Sequence, residues 1–358
     1  GDICDIHPKR RTCLYARRAL WCRAAVVVGV ADFVPAQAGS RGRCVTKFVL
    51  CRIHGCAHVA IRATLGSNIA KRIELLPIIK AAVAHEFGAP LVIEDVELRA
   101  PAGSEVEVTL DAVAICHSDI SFAEGAWGGS LPAVYGHEAA GRISALGDNV
   151  RGLALGDSVV VTLIRACGTC PSCAGGKPTV CETPYDGDFG PLKTKDGGTL
   201  HQAMASGAFA EKVVVEQAQV VKISADIPKD AASLIACGVI TGVGAVVNAA
   251  GLRAGQDVVV IGAGGVGLNA IQGARIAGAR RIVAVDMSEE KLAVAKEFGA
   301  TDGVLASDPK PWRAAIKAMG RGADAVIVTV GAIPAYDAAP RYLAGGGKVI
   351  MVGMPHSG

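Results

Sequence analysis

Four cysteines share one short loop, Cys167-Gly168-Thr169-Cys170-Pro171-Ser172-Cys173 followed by Cys181. Two Cys-x-x-Cys steps with a common middle sulfur can wrap a tetrahedral ion. Four thiolates fill its shell and leave no position open, which is the chemistry of a structural zinc. The same thiols could form two disulfides or hold an iron–sulfur cluster. Disulfides sit badly beside the cytosolic cofactor fold argued below. The ferredoxin pattern closes with Cys-x3-Cys-Pro, whereas here seven residues separate Cys173 from Cys181 and Glu182 follows. Zinc is the expected occupant.

A second chemical feature is Gly262-Ala263-Gly264-Gly265-Val266-Gly267, directly after the apolar run Val258-Val259-Val260-Ile261 and at the opening of a helical segment. In a G-x-G-x-x-G loop so placed, Gly262 permits the tight turn, Gly264 lets backbone approach a pyrophosphate and Gly267 lets helix pack on strand. The helix start, through Gly265 and Val266, offers unpaired N–H groups and the positive end of its dipole. The next apolar run ends in Asp286, 24 positions beyond Gly262. A carboxylate there accepts from both ribose hydroxyls and repels a 2′-phosphate, so NAD is expected over NADP. Lys291 reads either as a further ribose contact or as a solvated surface lysine.

Three other residues have no local partner. Cys116 lies in Ala114-Ile115-Cys116-His117-Ser118-Asp119, His137 in Gly136-His137-Glu138, and Cys237 in Cys237-Gly238-Val239-Ile240-Thr241-Gly242. Taken singly, each cysteine reads first as a small buried hydrophobe and the histidine as an ordinary polar residue.

Two kinds of scaffold must carry these groups. Short alternating strands are predicted at 79–83, 91–96 and 105–113, the last with Val106, Val108, Leu110 and Ala112 on one face. They imply a mostly β domain whose loops bear the chemistry. From Asp257 onward, apolar runs at 258–261, 281–285, 325–330 and 348–352 alternate with helix-length segments at 265–277, 288–298 and 311–319. That alternation predicts a parallel sheet with right-handed crossovers. The expected division is 1–77 as an unassigned basic, cysteine-rich leader, 78–230 as the β domain with the four-cysteine loop, and 231–358 as the nucleotide domain.

Composition agrees with an α/β chain: 358 residues exceed one ordinary core, and 51% hydrophobic content with 45 glycines and few aromatics suits buried parallel strands. A net charge of +3 gives no global field for nucleic acid or an anionic membrane. The leader, however, holds thirteen Lys or Arg against four acids, and six of the 12 cysteines. It shows no sustained helical or strand period. A targeting segment, an appended arm and upstream sequence foreign to the working enzyme are its three readings, the last preferred. Residues 24–34 before Ala36-Gln37-Ala38 faintly resemble a secretory segment, but Asp32 interrupts them. A nucleic-acid arm lacks a basic block and interleaved aromatics. No uninterrupted apolar run approaches the roughly 18–20 residues of a membrane span, so a soluble, cytoplasmic protein is expected.

Cys116-His117-Ser118-Asp119, Gly136-His137-Glu138-Ala139-Ala140-Gly141, the four-cysteine loop, Cys237 with Thr241, and the Gly262 loop stand in the order of the zinc-containing medium-chain alcohol dehydrogenases, which residues 79–358 resemble. A narrower likeness is to the class III-like branch that oxidises thiol adducts of formaldehyde. The resemblance implies an α/β fold with a GroES-like, mostly β catalytic domain and a doubly wound Rossmann domain. It implies NAD and two zinc ions per chain, one structural and one catalytic. Cys116, His137 and Cys237 would ligate the catalytic ion, with substrate oxygen or water fourth, the known coordination in alcohol dehydrogenase.

By the same resemblance Asp119 orients His137, Glu138 lies near the ion and helps ligand exchange, and Ser118 takes the alcohol proton. His117 would meet the pyrophosphate, Thr241 and Val266 would pack on the nicotinamide, and Leu163 would line the substrate pocket. Some relatives continue the proton relay to a histidine three positions after the serine, where this chain has Ser121. The implied reaction passes hydride between an alcohol, or a hydroxymethyl thiol adduct, and NAD. The expected partners are a small alcohol or aldehyde and further copies of the chain, with neither nucleic acid nor membrane. Polyol dehydrogenases carry glutamate where Cys237 stands, and the related quinone reductases lack the zinc residues. The family pattern continues past residue 358, so the expectation is a C-terminally truncated Rossmann domain with an exposed sheet edge and poor stability. A catalytically inactive nucleotide-binding or zinc-stabilised fragment is the alternative expectation.

Overall fold

The computed structural model describes residues 47–50, 60–63, 77–185 and 190–355. The chain forms two compact units, Gly1–Leu75 and Leu76–Gly358. In the first, strands Lys47–Leu50 and Ala60–Ala63 pair antiparallel, with Lys47 opposite Ala63. Four-residue strands are too short for a sequence period to reveal. The secretory-like stretch 24–34 and all six leader cysteines lie outside the described residues.

In the second unit, two antiparallel-rich sheets come first. One runs in the order His201–Gln202, Ala133–Val134, Ile78–Ala84, Val92–Leu98, Leu192–Thr194. The other runs Lys212–Glu216, Glu105–Ala114, Glu138–Leu146, Ser158–Val161, Val220–Lys222. Their facing side chains, Val106, Val108, Val159, Val161 and Val213 in one cluster and Ile79, Val83, Val96, Leu98 and Leu192 in another, are buried. The predicted alternation along Glu105–Ala114 holds only in part. Val106 and Val108 are fully buried, but bulges at Glu107/Val108 and Leu110/Ala112 leave Leu110 and Ala112 half-exposed. An extra residue in one strand rotates the pleat, so a period-2 reading fails across it.

The third sheet is parallel throughout, in the order Asp302–Leu305, Arg281–Asp286, Asp257–Ile261, Ala323–Val328, Leu343–Met351. Val258, Val260, Ile282, Ala284, Ala325 and Ile327 pack on one face, and Val259, Val283, Val285, Val326 and Val328 on the other. Burial on both faces is what makes these strands read as unbroken apolar runs. Helices Gly265–Ile276 and Glu289–Glu297 cover the first face through Ile271 and Leu292, and Pro311–Met319 covers the second through Ala315 and Met319. Strand Asp302–Leu305 escapes sequence reading because only Val304 of its four residues is buried.

One helix bears on the membrane expectation. Lys229–Ala250 is a continuous 22-residue helix with an 18-residue window of mean hydropathy 1.8, long and apolar enough by length and composition to cross a membrane. Serine, threonine, glycine and asparagine interrupt the run without adding charge. Here the helix is a packing element: its start lies on strands Glu105–Ala114 and Glu138–Leu146, and its middle on helix Gly265–Ile276. Ala232 and Ala236 meet Ala140 and Val160. The helix widens to π geometry over Ile235–Val239 and Ala245–Ala250.

Candidate active site

Cys116 is the N-cap of the short helix His117–Ala123, where strand Glu105–Ala114 turns. Its N–H donates to Asp119 Oδ2 at 3.0 Å, and Asp119 N–H donates to its carbonyl at 3.1 Å. This reciprocal cap fixes the cysteine relative to the buried aspartate. Asp119 Oδ1 accepts from Gly136 N–H at 3.0 Å and faces His137 Nδ1 at 2.9 Å. One carboxylate therefore holds both chain segments. Gly136 is required: its φ is +94°, and a Cβ would stand 2.7 Å from the Phe209 nitrogen.

Cys237 arrives from the π-helical stretch Ile235–Val239, so π geometry coincides with a candidate site, as it often does. Ligand atoms of Cys116, His137, Glu138 and Cys237 all lie within 4.8 Å of one another. Thr241 Oγ1 is 3.9 Å from Cys237 Sγ, and Ser118 bonds the Cys116 sulfur. The Cys237 thiol donates to Cys116, and with His137 this holds Cys116 far below the usual thiol range against its burial. The same bond, with burial, pushes Cys237 up. Burial opposes an imidazolium at His137, but Asp119 and Cys116 outweigh it and raise the ring to about 10. Burial, then the Cys116 charge, lifts Glu138 to about 7.

The donor set fits zinc. Two sulfurs and an imidazole suit a borderline-soft ion, and the Asp119 bond at Nδ1 leaves Nε2 as the donor nitrogen.

The four-cysteine loop closes on itself. Cys167 and Cys173 sulfurs are 4.0 Å apart, and Cys170 and Cys181 sulfurs 3.9 Å. A tetrahedron of Zn–S bonds near 2.3 Å has edges of about 3.8 Å, whereas disulfide sulfurs sit at about 2.05 Å. All four cysteines are free thiols. N–H groups of Cys170, Thr169, Cys167 and Glu182 point at these sulfurs at 3.2–3.4 Å. The Thr183 hydroxyl, with such N–H bonds, holds Cys167 down to about 5. Burial, with the neighbouring sulfurs, pushes Cys173 the other way, up to about 12, and the sulfur spacing is what suits the loop to a cation.

At the glycine loop, Gly262 has φ +97°, and a Cβ there would lie 2.5 Å from Val330 Cγ1. A Cβ at Gly267 would collide with the Gly262 carbonyl, whereas at Gly264 and Gly265 it would meet nothing. The first pair is needed for packing, and the second lies open beside the start of the helix, as a phosphate cradle must. Asp286 ties into this loop, its Oδ2 accepting from Ala263 N–H at 2.7 Å and its Oδ1 from Ser288 N–H at 3.0 Å. Each oxygen keeps a second lone pair. Lys291 is exposed one turn further on, and His117 is exposed beside Cys116.

The two centres share one element. Gly242, five positions after Cys237, packs so closely that a Cβ would strike the Val266 carbonyl of the glycine-loop helix. Thr241, the residue before Gly242, faces Cys237. Leu163 lines a cavity of about 810 Å3 with Phe122, Tyr135, Arg165, Tyr185 and Met204. The cavity borders the four-cysteine loop through Cys181 and Thr183, and neither Ser118 nor Cys116, His137 or Cys237 lines it.

Sequence reading missed Thr162 and Thr329. The Thr329 hydroxyl is 3.1 and 3.0 Å from the Ile261 and Gly262 carbonyls. Thr162 Oγ1 donates to the Ala236 carbonyl at 2.9 Å. Each is a single threonine ending or following a valine-rich strand, and nothing in the local pattern marks it.

Comparison with known proteins agrees with this architecture. Residues 102–225 match the alcohol dehydrogenase GroES-like domain, and residues 265–358 match the zinc-binding dehydrogenase family. An NDMA-dependent alcohol dehydrogenase of Amycolatopsis methanolica is 38% identical over 283 residues, covering 77% of this chain and 76% of that protein. Alcohol dehydrogenase class-P of Arabidopsis thaliana is 36% identical over 294 residues, covering 77% and 76%. The crystal structure of an alcohol dehydrogenase zinc-binding domain protein from Burkholderia ambifaria superposes with a TM-score of 0.75 at 36% identity, covering 79% of this chain and 78% of that one. The chain belongs to the zinc-dependent medium-chain alcohol dehydrogenase family.

Proposed function

We propose that this protein interconverts an alcohol and its aldehyde using NAD, with one zinc in the Cys116, His137 and Cys237 set and a second in the four-cysteine loop. The observation that carries this reading is the shared helix, which presents Cys237 to one centre and abuts the glycine-loop helix at Gly242. When bound, zinc would supply Lewis acidity toward an alcohol or carbonyl oxygen, and NAD would supply the hydride acceptor.

The chain's own residues divide the remaining work. Asp119 holds His137 in one tautomer and fixes the Cys116 backbone. Ser118, beside the Cys116 sulfur, accepts the proton that an alcohol gives up. Ser121 is buried one turn on, so the proton leaves along a route other than a histidine relay. Glu138 stands as a reserve carboxylate next to the sulfurs. Gly264 and Gly265 leave room for a pyrophosphate at the helix start, and Asp286 would accept from the ribose hydroxyls of a bound dinucleotide. Leu163 and Phe122 give the cavity an apolar side, facing Arg165, Tyr185 and His201 on its polar side.

Elemental mass spectrometry of the purified chain, followed by NADH absorbance with primary alcohols and a hydroxymethyl thiol adduct, tests this reading. Two zinc ions and alcohol-dependent NADH formation are expected. One ion without turnover would favour a zinc-stabilised nucleotide-binding protein, and no ion would sink the metal assignment.

A further inference from the structure

Cys237 is delivered to its site by a widened stretch of helix, and a residue on another element grips that stretch. Thr162 directly follows strand Ser158–Val161, and its hydroxyl donates to the carbonyl of Ala236, the residue before the cysteine, at 2.9 Å. Thr162 is itself bracketed by Gln219. Its N–H donates to the Gln219 carbonyl at 3.0 Å, and Gln219 Nε2 donates back to the Thr162 carbonyl at 3.0 Å. The same Nε2 donates to the Ala205 carbonyl at 2.9 Å. Ala236 and Gln219 are 2% and 1% exposed, and Thr162 is 9% exposed. A π-helical turn is a single-turn departure from the α register, found frequently at functional sites. A slip of one residue there would swing Cys237 by about 100°, away from Cys116 and His137.

We propose that Thr162 is a positioning residue for Cys237, locking the register of the Ile235–Val239 stretch so that the sulfur meets Cys116 and His137. This rests on the reading of those three residues as a metal set. Groups that orient metal ligands typically change metal affinity by about 10- to 100-fold when removed. Thr162 acts one step further back, through the backbone that carries the ligand, so a loss of about ten-fold is expected. Serine in its place keeps the donor, whereas valine keeps the shape and leaves a buried carbonyl without it.

The test uses the full chain loaded with zinc and, separately, with cobalt(II). Transfer of zinc to a chromogenic chelator gives the affinity of each site. Visible absorption of the cobalt form reports ligand geometry, with the four-cysteine loop as internal control. Thr162→Val is expected to weaken the Cys116 set about ten-fold and shift its cobalt bands while the loop site is unchanged, and Thr162→Ser is expected to restore both to within about two-fold. Thr162→Ala, whose vacated volume admits a water, is the second variant should the valine protein fail to fold, with a loss of at least about three-fold expected. Affinity and spectrum equal to wild type in either hydroxyl-free variant would overturn the assignment, whatever happens to the melting temperature. A wild-type chain that binds metal only at the four-cysteine loop would overturn the metal reading as well.

Discussion

Asp119→Asn changes one atom and tests the centre of the site. The carboxylate is 2% exposed and accepts from Cys116 N–H and Gly136 N–H while facing His137 Nδ1. An asparagine has one oxygen for these three partners. Its best orientation keeps that oxygen toward Gly136 and His137, which turns the amide NH2 onto the Cys116 N–H, donor against donor. One buried main-chain donor is then unsatisfied, at a cost of about 2 kcal/mol. At an unfolding entropy of roughly 2 cal/mol/K per residue, a unit of this size should melt about 3 °C lower. The imidazole also loses its ionic support, so zinc should leave the Cys116 set about ten-fold faster. Scanning calorimetry of the metal-free protein and chelator-driven zinc release measure the two effects separately. An unchanged melting temperature together with a release rate within two-fold of wild type would refute the role given to Asp119.

Gly267→Ala forces a methyl against the Gly262 carbonyl, with Thr329 Oγ1 at 3.2 Å, and the backbone must give. Overpacking of about 2 kcal/mol that falls on the loop weakens NAD binding roughly 30-fold, which fluorescence titration with NADH reads. Cys170→Ser should lower bound zinc by one ion per chain and destabilise the loop while the Cys116 set keeps its ion, as elemental analysis with thermal melting would show. Glu105 gives a pH effect of defined sign. Burial raises its pKa, but Arg99 at 2.5 and 2.6 Å and Ala102 N–H outweigh it, so the folded value lies below the ordinary carboxylate range. Its stabilisation is fully present above the unfolded pKa and is lost as pH falls through the folded one. The stability gap between wild type and Glu105→Gln, measured by urea unfolding, should therefore be constant near neutrality and shrink below about pH 4.5.

The chemistry-bearing motifs were readable because each is local. Cys167 to Cys181 lie in one loop, and Gly262 to Asp286 follow one strand–helix–strand unit. The meeting of Cys116, His137 and Cys237 was not readable from spacing, since it depends on strand register and on where the Lys229–Ala250 helix lands. Family resemblance supplied that grouping before geometry did. The bulges in Glu105–Ala114 and the π turns broke the regular periods on which sequence reading depends. Gln219 and Thr162 were invisible because a polar residue at a strand end looks like any solvated one until its burial is known.

The two clusters whose side chains could hold a metal ion differ in how much chain each must gather. The four-cysteine loop closes over about fifteen residues, so its loop-closure entropy is small and its thiols can meet before most of the fold exists. The Cys116 set draws its last member from beyond both antiparallel-rich sheets, after more than a hundred intervening positions. Non-local contacts of that kind form late, once sheets and helix have docked. Refolding in the presence of metal should therefore load the cysteine loop in an early phase and the Cys116 set only as the native state completes. An ion held by Cys116, His137 and Cys237 would thus mark a finished molecule, and a population of chains carrying only the loop ion would record how far folding had gone before it stopped.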